Sequence, residues 1–122
     1  MFNLNSKKIL ITGGSKGIGA ACVKYFCMAG ASVAFTYNTN PALASKLEKR
    51  YSKISKCKAY KVDVNDEIEI KNIVHAVVKD FGRIDVLVNN AGIWRERKIS
   101  NMKLSVWEET IKTNLTSTFL FS

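Results

Sequence analysis

The run Thr12-Gly13-Gly14-Ser15-Lys16-Gly17-Ile18-Gly19 carries the clearest chemistry in this sequence. Glycine at positions 13, 17 and 19 permits a tight turn, a close approach of backbone to a ligand, and hard packing of the next helix on a sheet. A helix opening there aims its unpaired N–H groups and the positive end of its dipole at the mouth of the loop, which suits a pyrophosphate. The spacing is G-x-x-x-G-x-G rather than G-x-G-x-x-G, and the Gly-Lys-Ser/Thr ending of an ATP-type loop is absent. A plain strand-to-helix turn is the competing reading.

Three further places fall where strands should end. Ala34-Phe35-Thr36-Tyr37-Asn38 holds no acid to accept a ribose 2′-OH, whereas Lys16 stands in the glycine loop. A 2′-phosphate needs a cation and no nearby carboxylate, so this pattern favours NADP(H) over NAD(H). A solvated loop lysine is the alternative for Lys16. Asp63-Val64 could receive an adenine amino group, or Asp63 could cap the helix that begins near Asn65. Asn89-Asn90-Ala91-Gly92 combines amides and small residues that let a backbone run beside a ribose or a flat ring, or else form a strand-ending turn.

Other reactive residues are quieter. His75 sits among Ile73, Val74, Val77 and Val78, away from any strand end, and reads as structural or surface. Cys22, Cys27 and Cys57 are odd in number and lack metal-ligand spacing, so reduced thiols are expected, with Cys22 and Cys27 facing a core; no metal site is expected. With 19 Lys plus Arg against 10 Asp plus Glu, the net charge is +9, but no strip of interleaved basic and aromatic residues supports nucleic-acid binding.

The positioning elements follow from periodicity. Ile9-Leu10-Ile11 fits a fully buried strand. Ile18, Ala21, Cys22, Tyr25, Phe26 and Ala29 have helical spacing, closed by Gly30. A second strand spans 32–37, and Asn40-Pro41 reads as an N-cap and first helical residue. A third strand spans 59–62. A helix follows through Ile70, Ile73, Val74, Val77 and Phe81, ending at Gly82, then a fourth strand over 84–88. After a loop over 90–104, Ser105-Val106-Trp107-Glu108 reads as a capping box opening a last helix. Strict strand–helix alternation predicts a Rossmann-type, doubly wound parallel α/β sheet.

At 122 residues, 47% hydrophobic and 24% charged, the chain reads as one ordinary globular domain. It has no apolar run long enough to span a membrane, and its polar opening, Met1 to Lys8, lacks a signal-peptide core, so a cytoplasmic protein with no membrane partner is expected. The last helical pattern reaches Phe119-Leu120-Phe121-Ser122 without a closing Gly, Pro or basic turn, and the fourth strand would be a bare apolar edge. An incomplete sheet of about four strands and four helices, the first half of a larger domain, is therefore expected.

Taken in order, Thr12-Gly13-x-x-x-Gly17-x-Gly19, Asp63, Asn89-Asn90-Ala91-Gly92 and Asn114, which lies 25 positions beyond Asn89, closely resemble the short-chain dehydrogenase/reductase family. Gly82-Arg83-Ile84-Asp85-Val86-Leu87-Val88 and Trp107-Glu108-Glu109-Thr110-Ile111 are most similar to its 3-oxoacyl-[acyl-carrier-protein] reductases, although sugar and alcohol dehydrogenases carry similar stretches. The resemblance implies hydride transfer between a nicotinamide and a carbonyl or alcohol. It makes Thr12, Gly13, Ser15, Lys16, Gly17, Ile18, Gly19, Asn38, Asp63, Val64, Asn90, Ala91 and Gly92 the candidate cofactor residues. Asn114, which would bend its helix and support a proton-relay water, is the candidate catalytic residue. It also implies that residues 1–122 form the N-terminal part of a single NAD(P)-binding domain. The full-length protein would then act on a small-molecule or acyl-carrier-bound substrate, and is expected to be a homo-oligomer. The family's Tyr-x-x-x-Lys does not occur here: Tyr25, Tyr37, Tyr51 and Tyr60 are followed four positions on by Ala29, Pro41, Ser55 and Val64. These 122 residues alone are therefore expected to lack the acid–base group, and a non-catalytic nucleotide-binding module is the alternative.

Overall fold

The structure, a computed structural model, describes residues 3–93 and 98–122. Parts of two sequence readings, the polar opening (residues 1–2) and the loop over 90–104 (residues 94–97), lie outside the described residues. The elements are β1 (Lys8–Ile11), α1 (Gly17–Met28), β2 (Ser32–Tyr37), α2 (Pro41–Tyr51), β3 (Cys57–Lys61), α3 (Glu67–Phe81), β4 (Val86–Val88), a short turn of 3-10 helix (Ile99–Asn101), α4 (Leu104–Ile111), a π-helical turn (Lys112–Thr116) and α5 (Ser117–Phe121).

Four strands form one sheet in the order β3-β2-β1-β4, and every pair is parallel. The chain builds outward from β1 to β3, then returns to place β4 on the other side of β1. Strand order therefore reverses between β1 and β4, and a crevice opens there at the strands' carboxyl ends.

Strand residues alternate between the two faces, and each face has its own core. Ile9, Ile11, Val33 and Phe35 pack with Val23 and Cys27 of α1 and Ala44 and Tyr51 of α2. Leu10 and Ala34 pack with Ile70, Val77 and Phe81 of α3 and Phe121 of α5. Because β1 is covered on both faces, Ile9, Leu10 and Ile11 are each at most 2% exposed, which is why the strand reads as a continuous apolar run.

Local signals act as read at several ends. The Asn40 side chain accepts from Leu43 N–H with Pro41 in the first turn, and Gly30 and Gly82 follow α1 and α3 at φ +91° and +89°. His75 is exposed on α3. The three cysteines are free thiols, Cys27 and Cys57 buried and Cys22 partly so.

Three expectations are corrected. β3 begins at Cys57 rather than Ala59, because Val33 and Ala34 pair with Cys57 and Lys58. β4 is confined to 86–88: Asp85 is engaged one step earlier, its N–H donating to Lys8 O and its carboxylate accepting from Lys8 N–H, both at 2.8 Å. The capping box at Ser105 does not form. The helix has already started at Leu104, and the Lys103 carbonyl accepts from the N–H groups of Val106 and Trp107 without a side-chain cap.

α4, the π turn and α5 continue into one another, and Leu104, Trp107, Leu115 and Phe119 on this arm are more than half exposed. No helix among the described residues is long and apolar enough to cross a membrane.

Candidate functional site

A cavity of about 710 Å³ occupies the switch-point crevice. Its floor is the glycine loop. Gly13 takes φ +67°, and a Cβ built there would lie 3.0 Å from Ala91 Cα, past the end of β4. Gly17 takes φ +58° at the first residue of α1, and a Cβ built there meets nothing within 4 Å. That empty approach lies beside a helix end with no side-chain cap and no acid in its first turn. Backbone N–H groups and the helix dipole are left to meet an anion.

The loop is held by hydrogen bonds from β2 and by close packing. Thr36, 1% exposed on β2, accepts from Gly13 N–H through Oγ1 at 3.1 Å, and its carbonyl accepts from Gly14 N–H at 2.9 Å. Gly14 is glycine for contact reasons, since a Cβ would sit 2.6 Å from Phe35 Cβ. Gly19 is also a packing residue: its Cβ would fall 2.1 Å from Gly13 O.

The opposite wall follows β4. Thr12 Oγ1 accepts from the N–H groups of Asn90 and Ala91 at 3.1 and 3.0 Å. Asn90 Nδ2 donates to Gly13 O at 3.0 Å, tying this wall to the floor. Farther along, Asn114 grips Ile93 twice, its Oδ1 accepting from Ile93 N–H at 2.7 Å and its Nδ2 donating to Ile93 O at 2.9 Å. Asn114 lies in the π turn, where the helix widens.

Of the residues read from sequence, Gly13, Ser15, Lys16, Gly17, Ile18, Asn38, Val64, Asn90, Ala91 and Gly92 line the cavity together. Thr12, Gly19, Asp63 and Asn114 are not among the lining residues. Thr12 and Gly19 brace the loop, and Asn114 braces the Ile93 backbone. Asp63 Oδ1 accepts from Asn65 N–H at 2.9 Å, while Asp66 caps α3 by accepting from Ile68 and Glu69 N–H. Asp66 rather than Asp63 therefore caps the helix, which begins at Glu67 and not near Asn65, and Asp63 forms an Asx turn three residues before that cap.

Sequence reasoning did not single out Thr36, Gly14, Asn65 or Thr113. Thr36 and Gly14 are adjacent to flagged residues, and the signal that would find them is a polar residue inside an otherwise apolar strand and a doubled glycine. Nothing local marks Asn65 and Thr113, which meet across 48 positions.

Electrostatically the cavity suits an anion at the glycine end. Lys16 lines it, Tyr37, Asn38, Thr39 and Asn40 end β2 without an acid, and Glu109 is the one carboxylate among the described lining residues. The three ion pairs among the described residues, Lys58–Asp80, Lys71–Glu67 and Arg83–Asp85, leave Lys16 out. Shifted groups lie elsewhere. Lys58 and Tyr60 hold the Asp80 carboxyl below its ordinary range, and burial, then Asp80, pushes the Tyr60 hydroxyl up. No cluster of metal-ligating side chains occurs among the described residues.

Comparison with known proteins places this arrangement. The family described as short chain dehydrogenase matches residues 7–122. The 3-oxoacyl-[acyl-carrier-protein] reductase of Thermotoga maritima is 39% identical over 95% of this chain and 47% of its own length. The NADP-dependent mannitol dehydrogenase of Alternaria alternata is 37% identical over 98% of this chain and 46% of its own. The sorbose reductase of Candida albicans is 36% identical over 98% and 43%. A solved short chain dehydrogenase from Burkholderia cenocepacia in complex with NADP superposes with a TM-score of 0.93 at 33% identity, covering 98% of this chain and 49% of that one. The chain spans about half the length of the curated relatives it matches.

Proposed function

The chain belongs to the short chain dehydrogenase family, and from that premise we propose that it is the cofactor-binding N-terminal part of a single-domain, NADP(H)-dependent oxidoreductase. One observation carries the reading. At Gly17 the backbone takes a left-handed turn into open space, at an uncapped helix start beside Lys16, facing a β2 end that has no carboxylate. The cradle is one that a Cβ would fill, and its donors are N–H groups and a cation, so the residues fit a pyrophosphate with an added 2′-phosphate.

Gly13, Ser15, Gly17, Ile18 and Gly19 would hold or pack around the diphosphate, and Lys16 and Asn38 would meet the 2′-phosphate. Asp63 and Val64 would meet the adenine, and Asn90, Ala91 and Gly92 would run beside the ribose next to the nicotinamide. NADP(H) supplies the hydride when bound. Asn114, by fixing Ile93, keeps that stretch of backbone in place and would support a proton-relay water from its π turn.

The substrate read here is a carbonyl of the 3-oxoacyl thioester class, on the phrases at 82–88 and 107–111 and the 39% identity to a 3-oxoacyl reductase. A sugar alcohol or ketose is the second reading, supported by the mannitol dehydrogenase and sorbose reductase relatives. The full-length protein is read as a homo-oligomer.

Calorimetric titration tests the cofactor assignment. NADPH should bind about tenfold more tightly than NADH, and absence of heat with both nucleotides overturns it. Reduction of a 3-oxoacyl thioester against sorbose by the full-length protein, with NADPH, separates the two substrate readings.

A further inference from the structure

The loop after β3 and the π turn, which both line the cavity, are joined by a contact the glycine loop takes no part in. Thr113 Oγ1 donates to Asn65 Oδ1 at 3.1 Å. Asn65 stands in the loop after β3, with its own N–H held by Asp63. Thr113 is 6% exposed in the π turn, immediately before Asn114, and its carbonyl accepts from the Ser117 hydroxyl. Asn114 in turn makes both hydrogen bonds to Ile93, and it stands so close to that strand end that a Cβ on Gly92 would lie 3.1 Å from Asn114 Oδ1.

A π turn has looser geometry than the α-helix around it, so its register needs support from outside the helix. Ile93 supports it from one side. The contact from the sheet's other flank is Asn65. We propose that Thr113 and Asn65 form a positioning pair that sets the register of the π turn and thereby the seat of Asn114 against Ile93. Thr113 and Asn65 act through Asn114 and are positioning residues rather than catalytic ones. The inference deepens the reading of Asn114 given above and rests on it for its functional meaning, but the geometry it concerns exists without a cofactor.

Amide hydrogen exchange tests it. Thr113→Val keeps the side-chain shape and removes the hydroxyl, and Asn65→Ala removes the acceptor. Each should speed exchange at the Ile93 amide about fivefold, the factor for one net hydrogen bond. The double variant should go no further than either single one, because both remove the same contact. Thr113→Ser keeps the hydroxyl and should restore the slow rate. Amides of Leu10 and Phe35, deep in the sheet, should stay unchanged in all variants.

Unchanged Ile93 exchange in both single variants overturns the proposal, as does equal acceleration at Leu10 and Phe35, which would mean general loosening. An Ile93 amide already unprotected in the unaltered chain overturns it as well. NADPH titration of the same samples reports separately: no binding to the unaltered chain defeats the cofactor assignment, while the exchange result still decides the positioning pair.

Discussion

The cavity has two ends built on different principles. At the glycine end, the donors are backbone N–H groups with Lys16 beside them: the start of α1 has no side-chain cap, and Gly17 opens to empty space. At the β4 end, side-chain amides and hydroxyls fix the backbone: Thr12 under Asn90 and Ala91, Asn90 on Gly13, Asn114 on Ile93. The open donors of the glycine end come from neighbours in sequence, although Thr36 and Asn90 brace the loop, whereas the β4 end is fixed by residues 21 to 79 positions apart. A site that must meet a highly charged group can rely on local backbone, since N–H groups and a helix dipole need only a turn. A site that must hold a flat ring and a reacting centre needs rigidity, which comes from contacts across the fold.

Substitutions can break this contrast. Gly17→Val should cost most: it forces a β-branched residue to φ +58° and puts two methyls in the anion's approach. NADPH affinity should fall about a thousandfold with the sheet intact, read by calorimetry beside circular dichroism. Gly19→Ala should do the reverse. Its Cβ would lie 2.1 Å from Gly13 O, so folding stability should drop by about 3 kcal/mol in urea denaturation. Loss of binding without loss of stability at Gly19 would erase the distinction between ligand-facing and packing glycines.

Thr12→Val tests the β4 end. It strands the Ala91 N–H, leaves the Asn90 N–H with only the Val88 carbonyl, and should cost about 2 kcal/mol, also by urea. Lys16→Ala should weaken NADPH about tenfold and NADH little, seen by titrating both; equal losses would remove the 2′-phosphate role.

The smallest effect lies outside the cavity. Asp80 accepts from Lys58 Nζ at 2.7 Å and Tyr60 Oη at 2.6 Å, which lower its pKa from 3.8. Its contribution to stability is present above 3.8 and is lost as pH falls through the lower folded value. Asp80→Asn should lower the melting temperature slightly at pH 7, and the difference should close as pH falls below about 4.

Much of this was legible from residue order. Ile9-Leu10-Ile11 read as a strand because both of its faces are covered, and Asn40-Pro41 and Gly82 mark helix ends by their own backbone chemistry. Ser105 misled because a capping box is a local preference, and the Lys103 carbonyl had already started the helix two residues earlier. Asp63 could be read two ways because both an adenine contact and a turn need the same carboxylate; the Asx turn onto Asn65 uses one of its oxygens.

The sequence by itself determined the alternating parallel architecture, the glycine turn at Gly13 to Gly19 that opens the first helix, and the absence of an acid after the second strand. These are properties of periodicity, glycine backbone freedom and side-chain charge, which act between neighbours. Only the tertiary structure decided that Thr36 and Thr12 brace the floor and wall, that Gly19 packs while Gly17 faces space, and that Asn65 meets Thr113 beside Asn114. Each of those depends on which strand lies beside which, and a hydrogen bond spanning 48 positions leaves no periodic trace in the order of residues.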